Sequence, residues 1–136
     1  MCIRDRVGLC YEGLPLFTGA AVLSAGEPDW RIILMAGLYA LGAHGIMTLN
    51  DLKATEGDRQ LGINSLPVTL GSERAARLAC WIMAVPKAIV IALLILWEQP
   101  VFALILAALL AAQFWAMGVM LTDPKARAPW YNATGV

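Results

Sequence analysis

The chain has 136 residues, 60% of them hydrophobic and only 15% charged, and its formal net charge is zero. A water-soluble domain carries about 45–50% apolar and about 25% charged residues, so this composition excludes an ordinary soluble fold. Charge neutrality removes the electrostatic case for nucleic-acid binding. Three scattered cysteines, Cys2, Cys10 and Cys80, form no metal-binding spacing and read as small apolar fillers.

In chain order, residues 1–6 are polar and too charged for a secretory signal core, and are expected to be a non-native leader, leaving 7–136 as the domain. A membrane-spanning helix needs about 20 mostly apolar residues. Val7 to Gly26 is the first candidate, interrupted by Glu12 and Pro15. Ile32 to Leu49 is the second, with His44 its one titratable group. Ala79 to Trp97 is broken only by Pro86 and Lys87, and Val101 to Leu121 carries no formal charge. The expected fold is therefore an all-α, polytopic transmembrane helix bundle, four spans of a larger assembly of helices. The abrupt stop at Asn132–Val136 fits an internal fragment. Gly37, Gly42 and Gly45 in the second span, and an alanine stripe from Ala107 to Ala112 in the fourth, suit close helix packing.

Basic residues follow the second span (Lys53, Arg59, Arg74, Arg77) and the fourth (Lys125, Arg127), and Arg4 and Arg6 precede the first. The opposite turns hold Arg31 among Glu27, Asp29 and Glu98. The positive-inside rule then puts the Asp51–Arg77 loop in the cytoplasm. Trp30, Trp81, Trp97 and Trp130 lie near the expected interfaces.

The densest charge stands at the end of the second span, where Asp51, Lys53, Glu56, Asp58 and Arg59 crowd together. Carboxylates beside a bilayer are costly unless compensated, and a divalent cation carrying a diphosphate would compensate them. On a continuous helix Asp51 and Asp58 differ by only about 20° in direction but are separated by roughly 10 Å along the axis. Gly57 suggests a different geometry, in which the helix ends and the chain turns back. Asp58 then approaches Asp51, or each holds its own ion. Lys53 and Arg59 would contact diphosphate oxygens. The plain alternative is a solvated loop whose charges only enforce topology. His44 lies about two turns before Asp51 on a similar face, as a packed polar residue or pocket contact more than a base. Glu12, inside an apolar run, is a site candidate or a hydrogen-bonded structural group.

The run Asn50-Asp51-Leu52-Lys53-Ala54-Thr55-Glu56-Gly57-Asp58-Arg59, continued by Gly62 and Ser65-Leu66-Pro67, resembles the second aspartate-rich motif of the UbiA-type intramembrane prenyltransferases. Its Glu-Gly-Asp-Arg and Ser-Leu-Pro context is similar to the chlorophyll and bacteriochlorophyll synthase branch. So are Tyr11–Pro15, Phe17–Ala21, Ala43–Leu49 and Ala128–Asn132. Ala54 stands where the family often has a third aspartate, and Glu56 is the candidate substitute, although it would point about 140° away from Asp51 on an unbroken helix.

The resemblance implies a magnesium-dependent transferase of the bacterial inner, photosynthetic membrane. A geranylgeranyl or phytyl diphosphate ionises at its allylic C–O bond, and the propionate carboxylate of bacteriochlorophyllide or chlorophyllide captures the carbocation as an ester. Asp51 and Asp58, with Glu56 as a tentative third, would be metal ligands; Asn50 would touch diphosphate or metal, and Lys53 and Arg59 would neutralise phosphate. His44 and Glu12 would belong to the substrate pocket. Membrane lipid and proteins that deliver pigment are the implied surroundings. The family's other aspartate motif is absent from this sequence, so the chain by itself is expected to be inactive. Rival readings are a family member acting on a quinone precursor or haem, and a cation-coupled transporter. Transporter sites lie near the midplane, whereas this cluster is expected at the membrane edge.

Overall fold

The computed structural model describes residues 9–24 and 26–134. The expected leader, with Cys2, Arg4 and Arg6, lies outside the described residues. A π-helical turn, Leu9–Gly13, leads into α1 (Leu14–Ser24). Then follow α2 (Trp30–Gln60), α3 (Leu66–Leu70), α4 (Ser72–Leu96), α5 (Pro100–Met120) and α6 (Pro124–Thr134). Among the described residues the fold is all-α.

Three of these helices, α2, α4 and α5, are long and apolar enough to cross a membrane. The expected span at Val7–Gly26 lies partly outside the described residues; what is described of it is a π-helical turn and a short α-helix. Its α-helical part has 11 residues, about 16 Å of axis against a hydrocarbon core of about 30 Å. Pro15 explains the π-helical turn: it has no N–H for the Tyr11 carbonyl and its ring crowds that oxygen, so the preceding turn widens into π geometry around Glu12.

The helix α2 is longer than its apolar run. Asp29 caps its start, accepting a hydrogen bond from the Arg31 N–H at 2.8 Å. Its end corrects the expected break at Gly57, because the helix runs through that residue to Gln60. One internal glycine costs about 1 kcal/mol, and the backbone hydrogen bonds of the helix continue through it for three more residues. Termination comes at Gly62, whose φ of 69° is left-handed. There the Ile63 N–H reaches the Asp58 carbonyl at 2.8 Å and the Gly62 N–H reaches that of Arg59 at 3.3 Å, the two bonds of a Schellman stop. The end of α4 is built alike, with Gln99 N–H to Leu94 and Glu98 N–H to Ile95, but Glu98 holds the left-handed position at φ 57°.

Helices α2 and α4 pack against each other, α5 packs on α4, and α6 tucks against α2, α4 and α5. The seam is tightest at Gly45, where an added Cβ would lie 2.7 Å from the Ala79 carbonyl oxygen. Leu49, Leu52, Ala76, Ala79, Met83, Met120 and Tyr131 form a core near the acidic end of α2. Large side chains on the outer surface, such as Trp81, Leu104 and Trp115, are left exposed for an apolar solvent.

Candidate functional site

Four buried residues, Thr48, Leu49, Leu52 and Thr55, form a stripe that pins the last turns of α2 against its neighbours. The two threonine hydroxyls are absorbed locally: Thr48 donates to the His44 carbonyl at 3.1 Å and Thr55 to that of Leu52 at 3.0 Å. Because the helix is continuous, Asp51 and Asp58 stay about two turns and roughly 10 Å apart along its axis, and the close approach expected from a turn at Gly57 does not occur. Both are half-buried. Asp58 Oδ2 is out of solvent without a hydrogen-bond partner.

Glu56 does not join them. It pairs with Arg59 at 3.7 Å, both side chains being about two-thirds exposed, and accepts a hydrogen bond from Gln60 at 3.3 Å. Among the described residues no three His, Cys, Asp or Glu side chains converge on a point that could hold a metal ion. The expected three-carboxylate set is therefore not assembled. What remains is an Asp51–Asp58 face, with exposed Arg59 about 80° round the helix from Asp51 and exposed Lys53 about 160° round it, on the opposite side.

Asn50 is held from across the molecule: the Asn132 side-chain N–H group donates to Asn50 Oδ1 at 2.8 Å, joining α2 to α6 over 82 residues. Next to Asn132, Tyr131 is 2% exposed. Its hydroxyl accepts from Gln113 at 3.1 Å and donates to the Met83 sulfur at 3.9 Å. Burial pushes the Tyr131 phenol above its ordinary range, so it acts here as a neutral hydrogen-bonding group. Sequence reasoning missed Gln113, Tyr131 and Asn132 as working residues. One signal was available: Gln113 is a polar side chain inside an otherwise apolar helix, where an unpaired amide would be costly.

Beneath this end lies a cavity of about 510 Å³. Its walls are mostly apolar, among them Met35, Leu38, Ile46, Val90 and Leu106. The polar side chains on it are Glu12, Tyr39, Lys87, Gln113, Tyr131 and Asn132. Glu12 and Tyr39 both stand on its wall. Of the two expected pocket residues, Glu12 lines the cavity and His44 does not, although its neighbours Ala43 and Ile46 do. The presence of Lys87 inside a span has the same explanation, since it borders this cavity. Asn132 lines the cavity and also binds Asn50, so one residue links the cavity wall to the start of the charged segment of α2.

The bundle thus holds an apolar chamber with a few polar side chains on its wall, and a separate cluster of charge further along α2. Such an arrangement belongs with integral membrane proteins that process lipid-like substrates. The chain belongs to the UbiA prenyltransferase family, which it matches over residues 6–134. It is 63% identical over 130 residues to the bacteriochlorophyll synthase 33 kDa chain of Cereibacter sphaeroides, covering 96% of this chain and 43% of that one. Identity to the protein of the same name from Rhodobacter capsulatus is 57% over 133 residues, covering 96% and 44%. Identity to the chloroplastic chlorophyll synthase of Arabidopsis thaliana is 34% over 119 residues, covering 87% and 30%. The chain thus spans less than half the length of these relatives. No solved structure matches it.

Proposed function

We propose that this chain forms part of a prenyltransferase that esterifies the propionate carboxylate of bacteriochlorophyllide with geranylgeranyl or phytyl diphosphate. The observation that carries the reading is the 63% identity, across 96% of the chain, to a protein named bacteriochlorophyll synthase. The site's chemistry agrees with it. An apolar cavity accepts the prenyl chain and keeps water from the reacting carbon. Asn50, bonded to the cavity-lining Asn132, and exposed Lys53 one turn further along α2 would meet the diphosphate. Arg59 joins them readily, since its exposed pair with Glu56 is worth at most about 1 kcal/mol.

Magnesium fits these residues. It takes one or two carboxylates and leaves its other positions to water and phosphate oxygens, and Asp58 offers a desolvated carboxylate oxygen with no protein partner. On the unbroken helix Asp51 and Asp58 are too far apart to share one ion, so each would hold its own, and Glu56, tied to Arg59, would hold none. When bound, the ion neutralises charge on the departing diphosphate. The chain's own residues orient the substrate: the apolar walls align the tail, and Asn50 and Lys53 hold the head where the acceptor carboxylate can approach.

We place the protein in the bacterial inner membrane with the acidic end of α2 in the cytoplasm. Supporting this, Lys53, Arg59, Arg74, Arg77, Lys125 and Arg127 gather at that end of the bundle and Arg31 at the other. Proteins that hand over the pigment are the expected partners.

The test grafts this chain in place of the 130 matched residues of the Cereibacter sphaeroides relative. Membranes are then supplied with bacteriochlorophyllide and geranylgeranyl diphosphate, with and without magnesium. A magnesium-dependent esterified pigment is the expected product. A folded graft that makes no ester, yet prenylates a quinone precursor, would move the protein to another branch of the family. The 136 residues alone are expected to yield none, because they carry a single Asn-Asp motif of this kind.

A further inference from the structure

We infer that Asn132 is a positioning residue that fixes the side-chain amide of Asn50, so that Asn50 presents its NH2 group to the diphosphate. This rests on the prenyl-diphosphate reading above and decides a point that reading leaves open. A primary amide has two chemically opposite ends. Its oxygen accepts hydrogen bonds or ligates a hard cation, whereas its nitrogen only donates. Asn50 Oδ1 is taken up by the Asn132 N–H at 2.8 Å. The planar amide therefore turns its oxygen towards α6 and its NH2 group away from it. Asn50 is exposed, so that NH2 group is open to an incoming anion.

The orientation is held on both sides. Turning Asn132 alone would set its oxygen against the oxygen of Asn50. Turning both amides together would move the Asn132 NH2 group into the place now occupied by its Oδ1, which is out of solvent and has no partner. Buried donors without a partner are rarer and costlier than under-satisfied carbonyls, so the observed arrangement is the favoured one. The helix carrying Asn132 is itself anchored next door, where buried Tyr131 bonds to Gln113 and Met83. Two helices distant in sequence thus fix which end of one amide faces away from α6.

The experiment uses the grafted full-length protein and an unreactive probe, geranylgeranyl thiolodiphosphate, whose Kd is measured by tryptophan fluorescence at several magnesium concentrations. Asn132→Leu removes the donor without adding charge. Asn50→Leu removes the contact itself, and Asn50→Asp keeps the oxygen that Asn132 binds but replaces the donor with an acceptor. A hydrogen bond to a charged group is worth roughly ten- to hundredfold in binding, so Asn50→Leu and Asn50→Asp should each raise the probe's Kd by about that much. Asn132→Leu should raise it by several-fold to about tenfold, with the magnesium concentration for half-maximal binding unchanged. The double Leu variant should bind like Asn50→Leu alone, because Asn132 acts only through Asn50.

Probe binding retained or tightened in Asn50→Asp would mean that the NH2 group does not contact the diphosphate, and would overturn the inference. Additive losses in the double variant would overturn the positioning role. If Asn132→Leu does not fold, Asn50→Asp still decides which end of the amide is used. Wild-type protein that fails to bind the probe would sink the functional reading itself, an outcome distinct from wild type that binds and variants that do not differ from it.

Discussion

The two ends of α2 obey different solvents. At the acidic end Leu49 and Leu52 are fully enclosed, Thr48 is 1% exposed, and the polar residues between them are aimed by that burial. At the other end Trp30 is 60% exposed and Ile33 48%, and what order exists comes from surface contacts. There Arg31 lies 5.9 Å from the Trp30 ring and 5.2 Å from the Trp97 ring, and the two tryptophans meet edge to face at 6.0 Å. Apolar residues at that end lose little by facing hydrocarbon, so packing has no need to be specific. Where carboxylates must be held in register, the helix is buried on one side and bound to two others. Hydrophobicity is common to both ends of α2, whereas close packing belongs to the acidic end.

The comparison can be broken most severely at the carboxylates. Asp51→Asn and Asp58→Asn should each lower prenyl transfer in the grafted protein by about 100-fold or more, with thermal stability in detergent unchanged. Full activity in either would remove that residue from the site. A second, smaller effect tests the seam. Gly45→Val would press against Met83 and the Ala79 carbonyl, and should cost about 1–3 kcal/mol in detergent unfolding. The same change at Gly37, which has open space around it, should cost far less.

Third, Tyr131→Phe strips the buried Gln113 amide of its partner and should cost about 1–2 kcal/mol. A neutral result would mean that the Gln113–Tyr131 bond does not anchor α6. The smallest effect belongs to the far end and runs the other way. Glu98 holds a left-handed backbone position that glycine adopts without strain, so Glu98→Gly should raise stability by about 1 kcal/mol with activity unaltered. A loss there would show that the Glu98 side chain has a role its backbone does not reveal.

Much of the fold was legible because bilayer thickness imposes a length on apolar runs, and α2, α4 and α5 contain the three clearest of them. The same reasoning flagged Glu12 and Pro15 as weak points, and the π-helical turn and short α1 are their result. Gly57 was misleading. A glycine inside a helix costs only about 1 kcal/mol, and the chain keeps its helical hydrogen bonds through Gly57 and stops at Gly62, where the backbone turns left-handed. The pairing of Glu56 with Arg59, three residues apart on one helix, follows from spacing once the helix is known to be unbroken. The Asn50–Asn132 bond and the Gln113–Tyr131–Met83 cluster follow from no local pattern, since their partners come from separate helices.

Sequence alone determined that this chain is a membrane helix bundle, where its charges gather, and which family it joins. These are properties of composition, periodicity and motif, and each can be read within a short window. Tertiary structure decided which carboxylates share a face, that Glu56 stands apart, and that Asn132 holds Asn50. Those outcomes depend on where α2 stops and on what packs against it, and both are settled by burial between segments far apart in the chain.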